Sequence, residues 1–167
     1  RSNDSDSIVL DETKQNDPIA TGLQNIGNAD PQFSANGFLE GARGAFEIIV
    51  KAYSDGDERI LKTLLNDEVL ENFSAVISKR KTAGQILETA IIGIKNAEII
   101  DARIDSRTAF VEVKIVSEQT NVFRDKDGVV IEGDDNQITE VTDLWTFARN
   151  VRARNPNWIL VETRSPD

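Results

Sequence analysis

The chain has 167 residues, 39% of them hydrophobic and 29% charged, which fits one domain that folds in water and excludes both a wholly disordered chain and a membrane bundle. Its formal net charge is −10, with 6 acids and 2 bases in residues 1–33 and 23 acids and 17 bases in the remainder, a balance that disfavours broad nucleic-acid binding, since many Lys and Arg are needed to displace phosphate counterions. There is no Cys and no His, so disulfides, thiol nucleophiles, imidazole or thiolate metal sites and every Ser-His-Asp or Cys-His arrangement are excluded, and neither a metal nor a cofactor is expected.

No run of residues approaches the roughly 18 consecutive apolar residues of a spanning helix. The chain starts at Arg1 and contains no Met, and it reads as a fragment or a processed form.

In chain order, residues 1 to about 33 are rich in Asp, Asn, Ser and Gly, with only Ile8, Val9, Leu10, Ile19, Leu23 and Ile26 to bury. They read as a flexible acidic arm or linker, because so little hydrophobic surface rarely offsets the entropy of ordering. From Ser34 the pattern is helical: Phe38, Ala42, Ala45, Phe46, Ile49, Val50 and Tyr53 recur at steps of three and four and share one face. Ser34 or Asn36 caps the start, Ser54-Asp55-Gly56 ends it, and Asp57 caps a second helix with Ile60, Leu61, Leu64 and Leu65 inward. A third helix places Val69, Leu70, Phe73, Val76 and Ile77 inward and ends near Lys79-Arg80-Lys81, where cations complement the helix dipole.

After Gly84 the apolar period shortens to alternation. IIGIKNAEIIDARI, TAFVEVKIVSEQTNVF, ITEVTDLWTFARNV and NWILVETR read as about four strands, with turns at Asp105-Ser106, Asp127-Gly128 and Asn155-Pro156-Asn157. Helices followed by strands predict an α+β domain over residues 34–167, its helices packed on one face of an antiparallel sheet.

Several groups are candidates for chemistry. The loop from Asp125 to Asp135 gathers carboxylates around Gly128, but the glycine falls too early for an EF-hand, so it reads as a solvated hairpin. Gly37, Gly41 and Gly44 lie in a helix with no strand before it; they read as a site of close helix packing within the molecule, not as a nucleotide loop. On the tryptophan strand, alternation puts Val141, Asp143, Trp145 and Phe147 on one face. Enclosure by those rings would raise the pKa of Asp143 and suit it to proton transfer, yet pairing with Arg or backbone is the expected state, and no second catalytic group accompanies it beyond Tyr53. Phe46, Tyr53, Asp143, Trp145 and Phe147 are therefore assigned to the wall of a pocket, and no residue is assigned a catalytic role. Arg149, Arg152 and Arg154 form a small basic patch near Trp158, able to contact phosphate or a partner.

Two stretches, FLEGARGAFEIIVKAYSDGDERILKTLL (38–65) and EVTDLWTFARNVRARNPNWILVET (140–163), resemble the Tim-forty-four-like domain family. That family comprises the C-terminal domain of the mitochondrial inner-membrane import-motor subunit, bacterial membrane-associated relatives and a mitochondrial ribosome-binding membrane protein. The resemblance implies a cone-shaped fold similar to nuclear-transport-factor-two-like domains, in which a curved sheet and helices enclose an apolar pocket. It also implies a non-enzymatic, membrane-associated adaptor in protein translocation or membrane-protein assembly, on the cytoplasmic side of an inner membrane with an anchor upstream of Arg1, whose pocket takes a peptide or lipid. Its partners would be membrane lipid or membrane proteins. Tethering of an import chaperone belongs largely to sequence upstream of the family domain and does not carry over to residues of this chain. The alternatives are a small-molecule-binding or isomerase-like protein of the same superfold, centred on Asp143, and a ribosome-binding factor using the three arginines.

Overall fold

A computed structural model describes residues 17–166. Among the described residues four helices come first: α1 (Pro18–Ala29), α2 (Ala35–Asp55), α3 (Glu58–Leu64) and α4 (Asp67–Thr82). Five strands follow: β1 (Ile86–Asp105), β2 (Thr108–Arg124), β3 (Val130–Gly133), β4 (Thr139–Asn150) and β5 (Ile159–Arg164). The strands make one antiparallel sheet in the order β1-β2-β4-β5, with the short β3 pairing β2 beyond the end of β4. The sheet is open, and the α+β arrangement expected from the sequence is the one observed.

Each helix starts on a side chain that accepts an otherwise unpaired backbone N–H. Asp17 accepts from Ile19, Ser34 from Gly37, Asp57 from Ile60 and Asn66 from Val69. Gly56 closes α2 in the left-handed region, at φ 72°, where a Cβ is costly.

The first helix corrects the reading of residues 17–33 as an arm. Asp17 caps it, Pro18 occupies its first turn, and Ile26 is fully buried. Gly22 lies so close to β1 that a Cβ there would stand 1.8 Å from the carbonyl oxygen of Ala102. Tertiary contact thus supplies what the sparse apolar pattern of PIATGLQNIGNA lacks. The rest of the proposed arm, residues 1–16 with Ile8-Val9-Leu10, lies outside the described residues.

β1 runs for 20 residues against β2 with three register shifts, at Ile91/Gly93, Ile94/Asn96 and Ile99/Asp101. Such bulges bend and twist a strand, giving the curvature that wraps the sheet around the helices. The sheet's inner face carries Val111, Val113 and Ile115 of β2, opposite Phe147, Trp145 and Asp143 of β4 respectively. The three aliphatic residues are fully buried and belong to one core with Phe46 and Ile49 of α2 and Leu160 of β5.

Two helix faces differ from expectation. Ile60 is 39% exposed and Val76 48% exposed, each at the margin of the stripe assigned to the core. Arg80 does not serve its own helix alone. It turns inward, 7% exposed, and donates to the carbonyls of Tyr53 and Ser54 at 2.7 and 3.2 Å, at the C-terminal end of α2. A guanidinium satisfies those terminal carbonyls and the negative end of the helix dipole together. Ser54 continues the connection: its hydroxyl donates to the Leu87 carbonyl and accepts from the Thr89 N–H, each at 3.0 Å, fixing the end of α2 on β1.

Candidate functional site

Along β2 the inward positions change character. After Val111, Val113 and Ile115 come Ser117, Gln119 and Asn121, and these polar groups bond to one another: Asn121 Nδ2 to Gln119 Oε1 at 3.1 Å, and Gln119 Nε2 to Ser117 Oγ at 2.9 Å. Thr89 of β1 extends the row by donating to Asn121 Oδ1 at 2.6 Å. Buried amides and hydroxyls are tolerated because each has a partner.

Above this polar row is an open cleft of about 460 Å³. Val50 and Tyr53 of α2 and Phe73 and Val76 of α4 form one wall; Val141, Asp143 and Trp145 of β4 form the other. The Tyr53 and Phe73 rings meet edge-on at 5.2 Å. The cleft therefore has an apolar, aromatic rim and a hydrogen-bonding floor, the general make-up of a ligand site.

Asp143 is the unusual member. Its carboxylate is half-buried, and among the described residues no hydrogen bond or ion pair reaches it. This corrects the expectation that it pairs with Arg or backbone. Burial alone pushes its pKa above the ordinary 3.8, because the anion loses water without gaining a partner. The native protein then holds this proton over a pH range in which the unfolded chain has released it, so stability falls as pH rises through that range. Asp143→Asn is accordingly expected to unfold at higher urea than the parent at pH 7, with the advantage disappearing below pH 3.8, where both states of Asp143 are protonated. Paired urea titrations at the two pH values read this difference directly.

The five pocket candidates do not share one cavity. Tyr53, Asp143 and Trp145 line the cleft just described. Phe46 is fully buried behind it, its ring tilted against Trp145 at 4.8 Å, and belongs to the core. Phe147 faces a second open depression of about 540 Å³, bordered by Phe33, Phe38, Gly41, Gly44, Ile48 and Trp158. Its aromatic end is a cluster with Phe38–Trp158 centroids 4.8 Å apart and Phe38–Phe147 5.9 Å apart, both edge-on. Gly41 and Gly44 have nothing within 4 Å of where a Cβ would stand, so they pack against no other element, contrary to the expectation of close helix packing. Gly37 instead receives the Ser34 cap.

The arginine trio is also divided. Arg149 Nη1 bonds Asp30 Oδ2 at 2.8 Å, and the same guanidinium donates to the carbonyls of Ala153 and Asn155. It pins the end of α1 to the β4–β5 loop, and those contacts occupy it, so it is not part of a phosphate patch. Arg152 and Arg154 are exposed in that loop. In the 125–135 segment, Asp125 Oδ1 accepts from the Asp127 and Val129 N–H groups, building a turn that leads into β3. No cluster of three or more metal-binding side chains occurs among the described residues.

The sequence reading missed Thr89, Gln119 and Asn121 as site residues. Their signal was the polar run at every second position, Ser117-Gln119-Asn121, continuing an otherwise aliphatic inward face.

Comparison with known proteins places this architecture. The sequence model of the Tim44-like domain matches residues 19–165, nearly everything described. The chain belongs to the Tim44-like domain family. The match begins inside α1, in agreement with α1 being part of the domain and not of an arm. Among curated proteins, this Tim44-like domain is 24% identical over 134 residues to the mitochondrial import inner membrane translocase subunit TIM44-1 of Arabidopsis thaliana, covering 80% of the chain and 28% of that protein. It is 22% identical over 142 residues to an uncharacterized protein of Rickettsia prowazekii (strain Madrid E), covering 85% of the chain and 58% of that protein. The chain thus spans little more than a quarter of one relative and under two thirds of the other. Among solved structures, the intermembrane space region of the chloroplast protein ARC6 superposes with a TM-score of 0.55 at 12% identity, over 76% of this chain and 95% of that one, a likeness of fold.

Proposed function

We propose that this Tim44-like domain is a non-enzymatic, membrane-associated adaptor in protein translocation or membrane-protein assembly, and that its cleft between α2, α4 and β4 takes a peptide segment or a lipid chain. The family match over residues 19–165 carries the reading, together with the import subunit among the relatives. The cleft supports it physically, with aromatic and aliphatic walls and a polar floor. No described helix is long and apolar enough to cross a membrane, so the domain itself would meet the bilayer or its proteins from one side, which we take to be the cytoplasmic side of an inner membrane. Flotation of the full-length protein with its own membranes, combined with protease protection and crosslinking to newly made membrane proteins, tests this. The reading expects a floating, protease-accessible domain that crosslinks to such substrates; a protein that stays at the bottom of the gradient and captures none of them contradicts it.

One observation favours a second reading, a small-molecule-binding or isomerase-like protein. Asp143 faces the cleft with its pKa raised and, among the described residues, no partner for its oxygens. Carboxylates in such surroundings can act as bases. The ribosome-binding reading gains no comparable support, since Arg149 is engaged with Asp30.

A further inference from the structure

Among the described residues the other partly buried carboxylates all have partners: Asp57 and Asp125 accept backbone N–H groups, and the remaining two meet arginines. Asp30 bonds Arg149 at 2.8 Å and Glu112 bonds Arg164 at 2.8 Å, each with little of its side chain exposed. Asp143 is the exception, although it is half-buried. A carboxylate removed from water without a partner is costly, and an incoming cation with N–H donors would relieve that cost.

The surroundings of Asp143 favour an ammonium group. Phe73 and Trp145 line the same cleft, and aromatic faces attract cations; the Tyr53 ring beside them already carries one, the Arg80 guanidinium 5.2 Å from its centroid. Below them, Gln119 and Asn121 each keep acceptor capacity after their mutual bond, since an amide oxygen has two lone pairs. Arg164, which also borders the cleft, bonds Glu112. The cavity, at about 460 Å³, has room for an apolar body as well as the head group.

We propose that the cleft selects amphipathic ligands carrying a protonated amine, with Asp143 receiving the ammonium and the Val50–Tyr53–Phe73–Val76 wall receiving the apolar part. The inference rests on the reading of the cleft as a binding site and adds the charge of the ligand's head.

The test uses dodecylamine, dodecanol and dodecanoate at pH 7, below their aggregation concentrations, with the full chain. Each cleft contains one tryptophan, so the Trp158→Phe variant leaves Trp145 as the sole reporter of this one. Dodecylamine is expected to change Trp145 emission saturably and to bind more tightly than dodecanol, with dodecanoate weakest. Asp143→Asn should weaken the amine by about tenfold or more, the range of a hydrogen bond to a charged group, and should narrow the gap to dodecanoate. Asp127→Asn, an exposed carboxylate elsewhere, removes the same charge and should leave binding unchanged, separating a local contact from general attraction to an acidic protein. Equal binding of amine and alcohol, or an amine affinity that Asp143→Asn does not alter, overturns the proposal while leaving the cleft as a site. If none of the three chains perturbs Trp145, both the proposal and the cleft reading fall.

Discussion

Replacing Phe46 with Ala is expected to remove about 3–5 kcal/mol of folding stability, the usual cost of deleting a large aromatic side chain from a packed core. The ring is fully buried and rests on Trp145 at 4.8 Å, so its removal leaves a cavity in the packed core. Domains of this size are typically stable by only about 5–15 kcal/mol, and the loss would leave a substantial unfolded population. Guanidinium titration measures it. The result also bears on function, because Phe46 reads from sequence as a pocket wall. A Phe46→Ala protein that lost binding would report on folding, whereas Asp143→Asn keeps the shape of the side chain and reports on the cleft.

Gly22→Ala and Gly27→Ala are expected to move stability in opposite directions, although both sit in α1 and both replace glycine with the best helix former. Intrinsic propensity favours Ala by about 1 kcal/mol at an interior helical position. At Gly27 nothing lies within 4 Å of the new methyl, so that gain should appear largely intact. At Gly22 the methyl would stand 1.8 Å from the Ala102 carbonyl oxygen and 2.6 Å from its carbon, both backbone atoms of a paired strand that cannot give way cheaply. Overpacking typically costs about 1–3 kcal/mol and outweighs the propensity. The helix must lift from β1, drawing Ile26 out of the core one turn later. Denaturant midpoints of the two variants, with amide exchange along α1, decide it; a Gly22→Ala protein as stable as Gly27→Ala would mean that α1 is not seated on β1 as described.

These two sites also mark where the sequence was legible. The three helices after Ser34 were readable because Phe38, Ala42, Phe46 and Ile49 keep helical spacing over several turns and because Ser34, Asp57 and Gly56 punctuate it. α1 was not, since two glycines and few apolar residues hide a helix that exists by docking; the available signal was Asp17 followed by Pro18, an N-cap and a first-turn proline. β3, four exposed residues in VIEG, has no alternation of burial to reveal it, only its pairing with Val122 to Arg124.

The candidate site was half legible for a similar reason. Alternation along β4 placed Asp143 and Trp145 on one face correctly, and the helical stripe brought Tyr53 toward them. The same alternation could not show that Phe147, two residues on, serves a different depression, or that Phe46 is sealed behind Trp145. Strand curvature and the end of α2 decide which inward residues meet open space. Those depend on the bulges of β1 and on the contacts of Arg80 and Ser54, which link positions about 30 residues apart.

The cleft containing Tyr53, Asp143 and Trp145 is proposed as the working surface of this domain. A photoreactive side chain placed at Val76, on the exposed rim of the cleft, and another placed at Arg152, in the β4–β5 loop, test it in the full-length protein within its native membranes. Crosslinked lipid or protein is expected from position 76 and little from position 152. Crosslinking confined to position 152, with none at 76, would contradict it.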